Sequence, residues 1–219
     1  MSSNEARQIV LASRPEGRAR LDNFRLEVVP MPVRPAGGVL VRTLYLSLDP
    51  YMRGRMDDRK SYAAPVPVGG VMEGEVVAQV VESDHPELRV GDLVLGRIGW
   101  RSHAASDGSN LKKIDPALAP PSTRLGVLGM PGFTAYAGLT AIGKPQPGET
   151  VVVAAASGPV GSLVGQLAKR AGARAVGIAG GPRKCRAVVE EFGFDAAVDH
   201  RAPDLAEALR SEEHTSELQ

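Results

Sequence analysis

Cysteine is nearly absent. Cys185 is the only one in 219 residues, which excludes an internal disulfide and any structural zinc lobe built from cysteines. The four histidines, His85, His103, His200 and His214, show no zinc-site spacing, so no metal is expected. An excess of one charge is also missing: 26 basic against 25 acidic residues leave a net charge of +1, and nothing electrostatic favours nucleic acid. No apolar run approaches the roughly 18 residues that a membrane span needs. The N-terminal "MSSNEARQIVLASRPEG" is too polar for the core of a signal peptide, which predicts a cytoplasmic protein without membrane association.

What is present suits an ordinary globular protein, with 43% hydrophobic and 23% charged residues. This length accommodates one large or two modest domains, and the pattern favours two. The first half is rich in β-branched segments bounded by Gly, Pro or Asp. "GGVLVRTLYLSL" (37–48), "GGVMEGEVVAQVVES" (69–83) and "VGDLVLGRI" (90–98) predict short strands of a barrel-like or sandwich domain over residues 1–125. "DPALAPPSTR" (115–124) reads as a connector, and "GVLGMPGFTAYAGLTAIG" (126–143) turns toward helical patterning.

From residue 150 the pattern changes. "TVVVAAA" (150–156) is a continuous apolar run, as expected for a parallel strand covered on both faces. Ser157 is placed to cap a following helix and Pro159 suits its first turn. Val160, Leu163, Val164, Leu167, Ala168 and Ala171 recur at helical spacing, with Gly172 as the stop. "RAVGIAG" predicts a second strand. Cys185, Val188, Val189 and Phe192 predict a second helix, and "DAAVD" (195–199) a third strand. The β-α-β-α-β order predicts the parallel sheet of a Rossmann-type, doubly wound α/β domain.

The turn "AASGPVG" between first strand and helix is a relaxed dinucleotide fingerprint, with Ala156 replacing the first glycine. Gly158 is expected to let the backbone turn, Gly161 to let a pyrophosphate approach the helix N-terminus, and Gly165 to let helix and strand pack closely. A strand-to-helix turn that binds nothing is the bland alternative. About 20 residues on, an NAD site carries an acid for the ribose 2′-hydroxyl. Here "GIAGGPRK" (177–184) places Gly180 and Gly181 there instead, followed by Arg183 and Lys184. Room at Gly180 and two cations suit a 2′-phosphate, hence NADPH, although solvated surface cations are the commoner fate of Arg and Lys.

Taken together, "LYLSLDPYMRGRM" (44–56), "VLGMPGFTAY" (127–136), "AAASGPVGS" (154–162) and "GIAGGPRKC" (177–185) resemble the zinc-independent medium-chain dehydrogenase/reductases, in the branch of curcumin, prostaglandin and 2-alkenal reductases. The resemblance runs from about residue 9 to residue 209. It implies a GroES-like substrate domain (1–125) followed by a Rossmann NADP(H)-binding domain (126–209), commonly in a homodimer, that reduces the carbon–carbon double bond of small α,β-unsaturated ketones and aldehydes. It also implies cofactor contacts at Ala155, Ala156, Ser157 and Gly158 of the turn and at Lys184 for the 2′-phosphate, to which the reading of the residues adds Val160, Gly161, Gly180 and Arg183. His200 stands where prostaglandin reductases have a tyrosine, and Thr134 is placed near the nicotinamide. Tyr51 is the catalytic candidate, a phenol after the rigid Asp49-Pro50 turn that could donate to the substrate carbonyl or relay its proton. A tyrosine packing at a turn is the alternative. Arg53 and Arg55 are expected to be solvated, and Trp100 to be packed or to wall the substrate pocket.

Only three strands of the sheet can be counted before the sequence ends. "SEEHTSELQ" has one apolar residue, and "RSEEHTSELQ" (210–219) resembles the translation of a short-read sequencing adapter. Native sequence is therefore expected to end near Leu209, and the 219-residue chain to be unstable and inactive as it stands. NADPH-dependent quinone reduction and non-catalytic NADP(H) binding are the competing readings.

Overall fold

The computed structural model describes residues 4–59, 63–203 and 205–214 of the chain. The chain divides into two compact units, Met1–Leu125 and Gly126–Gln219. The fold is mixed α/β, a β-rich first unit and a parallel sheet in the second.

In the first unit β1 (Glu5–Leu11) and β2 (Phe24–Pro30) form an antiparallel hairpin. A five-stranded antiparallel sheet follows among the described residues, built from β3 (Val39–Leu46), β4 (Val76–Ser83), β5 (Leu93–Gly96), β6 (His103–Ser106) and β7 (Leu111–Ile114) in the order β6-β3-β4-β5-β7. β3, β4 and β5 lie within the three predicted segments 37–48, 69–83 and 90–98 and are shorter than their apolar patterns. Residues 69–75 do not pair continuously, because Val71 makes only an isolated bridge to Val10. The polar N-terminus supplies β1, whose Ala6, Val10 and Leu11 are buried although Arg7 and Gln8 lie between them. Period-two alternation places Val76, Ala78 and Val80 of β4 in one core with Val39, Val41 and Val94. A second cluster of Leu11, Met52, Met56, Val66 and Met72 lies under the short helix α1 (Tyr51–Arg55). Trp100 stacks on Phe24 at 5.5 Å between ring centroids and packs against this cluster.

The second unit begins with α2 (Met130–Ala137), extended by a π-helical turn (Gly138–Gly143). Its sheet comprises β8 (Thr150–Val153), β9 (Arg174–Ala179) and β10 (Ala196–Asp199), all parallel, in the order β10-β9-β8. α3 (Gly161–Arg170) joins β8 to β9, and α4 (Pro182–Glu190) joins β9 to β10. The predicted β-α-β-α-β order is observed. Val153, Ala156, Ala175, Val188 and Phe194 form the core between sheet and helices, each large apolar side chain contributing roughly 1.5–3 kcal/mol on burial. Phe194 decides two glycines. A Cβ on Gly165 would fall 2.0 Å from its ring, and one on Gly177 would meet Val188, Ala156 and the same ring. Close packing at Gly165 is thus toward Phe194 rather than toward a strand. Gly172 and Gly193 end their helices with φ of +82° and +74°, a conformation that favours glycine.

The helix boundary differs from the expectation. α3 starts at Gly161, not near Ser157, and its N-cap is Val160 with no side-chain cap bond. Residues 154–160 form turns instead. α5 (Leu205–His214) carries Leu205 and Leu209, the start of the expected apolar stripe. Of the expected non-native segment, residues 215–219 lie outside the described residues. No described helix is long and apolar enough to cross a membrane.

Candidate functional site

β8 ends at Val153, and the chain then folds back on itself before α3. The residue that makes the reversal is Ala155, not Gly158: its φ is +51°, in the left-handed region, which costs a non-glycine residue on the order of 1 kcal/mol. Its carbonyl accepts the Gly158 N–H at 2.9 Å, and the Ala156 N–H donates to Ile178 O at 3.0 Å, tying the turn to β9. Ala156 is fully buried, with its methyl in the core. Gly161 fits against the turn itself, since a Cβ there would sit 2.5 Å from Ala155 O. Its smallness is required by the protein's own backbone, whatever approaches from outside.

The turn forms one wall of a cleft of about 730 Å³, within the range of small-ligand sites. Ala155, Ser157 and Gly158 line it on the β8 side, and Gly180, Arg183, Lys184 and His200 line it on the β9 and β10 side. Seven of the predicted cofactor residues therefore share one cavity. Ala156, Val160, Gly161 and Thr134 are not among its lining residues. Ala156 and Gly161 are buried behind the turn, and Thr134 lies on α2 with its hydroxyl donating to Met130 O at 2.8 Å. Gly180 also has a reason beyond an absent acid. A Cβ there would come within 2.8 Å of His200 Nε2, so the imidazole occupies the space that a side chain would need.

Sequence reasoning missed Arg201, which lines the same cleft. Its only signal was a cation directly after His200. It also missed Asp199, whose Oδ1 accepts the N–H groups of Gly181 at 2.8 Å and Arg201 at 2.9 Å. Those two bonds, with lesser help from the neighbouring positive charges, hold its carboxyl below the usual carboxylate range. Cys185 packs against the core, and burial pushes its thiol up, away from nucleophilic use.

In the first unit Tyr51 opens α1 and lines a smaller cavity of about 280 Å³ with Arg55, Glu73, Arg97 and Arg101. Burial raises its phenol above the ordinary value, and the Arg97 charge opposes this in part. The group therefore stays a protonated donor at neutral pH. Arg55 pairs with Glu73 at 3.2 Å. Arg53 is structural rather than solvated: it pairs with Asp57 at 2.7 Å and donates to the carbonyls of Pro15 and Gly17. Trp100 does not line this cavity.

Residues 7–114 match the family described as the N-terminal domain of oxidoreductase. The chain is 56% identical over 203 residues to the NADPH-dependent curcumin reductase of Escherichia coli, a match covering 93% of this chain and 59% of that protein. It is 43% identical over 200 residues to rat prostaglandin reductase 1, covering 90% and 58% of the two chains. Against the NADP(+)-dependent 2-alkenal reductase of tobacco the identity is 40% over 210 residues, covering 93% and 61%. Among solved structures, CurA from Vibrio vulnificus superposes with a TM-score of 0.89 at 52% identity, covering 96% of this chain and 62% of that one. The same protein in complex with NADPH gives 0.87 at 51% identity, covering 95% and 62%. The chain thus spans about 60% of the length of the curated relatives it matches.

Proposed function

Because the chain belongs to the zinc-independent medium-chain dehydrogenase/reductases, in the branch of the curcumin, prostaglandin and 2-alkenal reductases, we propose that it takes part in NADPH-dependent reduction of α,β-unsaturated ketones and aldehydes. The proposal concerns a chain of the relatives' full length. The observation that carries it is the basic donor set at the ends of β9 and β10. Arg183, Lys184 and His200 line one cleft with the β8–α3 turn, and β9 is followed by Gly180 and Gly181 rather than by an acid.

These residues fit the cofactor. Cations with free donor geometry suit a 2′-phosphate, and the N-terminal end of α3 suits a pyrophosphate. Lys184 and Arg183 would hold the 2′-phosphate, and Ala155, Ser157 and Gly158 of the turn would face the pyrophosphate. Bound NADPH supplies the hydride for the β-carbon. Tyr51, a phenol protonated at neutral pH, donates to the substrate's carbonyl oxygen, where negative charge develops during reduction. The same reading takes the enzyme to be a cytoplasmic homodimer.

The test is consumption of NADPH in the presence of a 2-alkenal, an enone such as curcumin, or a quinone. Alkenal- or enone-dependent turnover is expected, with Tyr51→Phe at least tenfold slower. Turnover of quinones alone would overturn the substrate class, and undiminished activity in Tyr51→Phe would remove the phenol from the mechanism.

A further inference from the structure

Arg201 sits in the turn that follows β10, and its guanidinium lies against the turn between β9 and α4. A Cβ on Gly180 would come 3.3 Å from its Nε and 3.5 Å from its Cζ, and one on Gly181 would be 3.6 Å from its Nη1. The backbone beneath it is pinned by one carboxylate oxygen of Asp199, which bridges the Gly181 and Arg201 N–H groups and so joins the two turns. Among the described residues the Arg201 guanidinium forms no ion pair. Two acids are nearby: Glu191, which lines the cleft, and Asp199, whose Oδ1 is engaged by backbone donors. Against them stand Arg183, Lys184 and Arg201, an excess of cations where the second strand ends.

We propose that Arg201 is a specificity-determining residue for a 2′-phosphorylated nucleotide, adding a third cation beside Arg183 and Lys184, with Asp199 as the residue that positions it. The inference rests on the NADPH reading. A guanidinium offers a planar fork of donors that matches a phosphate, and gains far less from a neutral 2′-hydroxyl. Arg201 thus acts on the difference between the two nucleotide types more than on nucleotide affinity in general. Glycine at 180 leaves the guanidinium room to lie over the turn, since a Cβ there would press on its Nε at 3.3 Å, whereas one at Gly181 would only touch it.

Calorimetric titration of the protein with adenosine 2′,5′-bisphosphate and with 5′-AMP tests this without turnover. Wild-type protein is expected to favour the bisphosphate. In Arg201→Gln its affinity is expected to fall about 10- to 100-fold, the loss of one charge-assisted phosphate contact. AMP binding is expected to change less than about twofold, and Arg201→Lys to recover part of the loss. Unaltered preference in Arg201→Gln overturns the assignment while leaving the NADPH reading intact. Equal weakening of both nucleotides marks a structural role and overturns it too. Wild-type protein that binds the two equally, or binds neither, overturns the NADPH reading and this inference with it.

Discussion

Replacing Gly161 by alanine separates two reasons for a glycine at the start of α3. If its smallness served only the pyrophosphate, Gly161→Ala would weaken cofactor binding and leave the free protein as stable as before. The geometry says otherwise: the added methyl would lie 2.5 Å from Ala155 O and 3.0 Å from Ala155 C and Ala156 Cα. All three are backbone atoms, and the Ala155 carbonyl also receives the Gly158 N–H. Relief therefore requires the whole turn to move, at a cost of roughly 1–3 kcal/mol for overpacking. Alanine's helix propensity returns less than about 1 kcal/mol at a first helical position. A net loss of about 1–2 kcal/mol remains, which lowers a urea midpoint by about 0.5–1 M for a typical slope. The single tryptophan, Trp100, belongs to the first unit. Its fluorescence transition gives an internal reference, and helical circular dichroism follows α3 and α4. The expected result is a lowered helical midpoint without nucleotide, together with weaker NADPH binding. An unchanged midpoint with weakened binding would refute the backbone argument and restore the pyrophosphate explanation.

Three further outcomes are expected. Gly165→Ala should destabilise the second unit by roughly 1–2 kcal/mol in urea unfolding, since its methyl would enter the Phe194 ring; pairing it with Phe194→Leu should cost less than the sum of the two changes. Lys184→Ala should weaken NADPH much more than NADH in a fluorescence titration, and equal weakening would remove Lys184 from the 2′-phosphate. Acid should act on the second unit through Asp195. Burial pushes its carboxyl up, but the Lys169 ammonium and the Ala175 N–H outweigh this and leave it below the ordinary range. A depressed folded-state value gives stability that is present above the unfolded value of about 4 and lost as pH falls through the folded one. The urea midpoint of this unit should therefore drop as pH is lowered below about 4. Asp195→Asn, which keeps an acceptor for Ala175, should flatten that drop, and an equally steep drop in the variant would rule out Asp195 as its source.

Much of the second unit was legible because its signals are local. The run 150–156, the 3.6-residue stripes of α3 and α4 and the glycines at 172 and 193 each act within a few residues, so periodicity alone orders β8, α3, β9, α4 and β10. β1 was not legible. Glu5, Arg7 and Gln8 sit among its buried Ala6, Val10 and Leu11 without a regular alternation and read as a polar leader, and only pairing with β2 and the bridges from Gln8 and Val10 make it a strand. The start of α3 was misplaced for a related reason. Ser157 is a good cap by type, but the left-handed Ala155 turns the chain early and delays the helix to Gly161.

The candidate site divides in the same way. Residue order alone determined a nucleotide-type turn, glycines where an acid would select NAD, and cations two residues beyond, because these depend on spacing along one strand, turn and helix. Tertiary structure alone decided which of those residues face a common cleft. It buried the Ala156 methyl, gave Gly161 to the turn's own backbone, and filled the space beside Gly180 with His200. It also brought Arg201 and Asp199, some twenty residues further on, to the end of β9. Parallel pairing sets β9 and β10 side by side with their C-terminal ends together, and no local propensity encodes that neighbourhood.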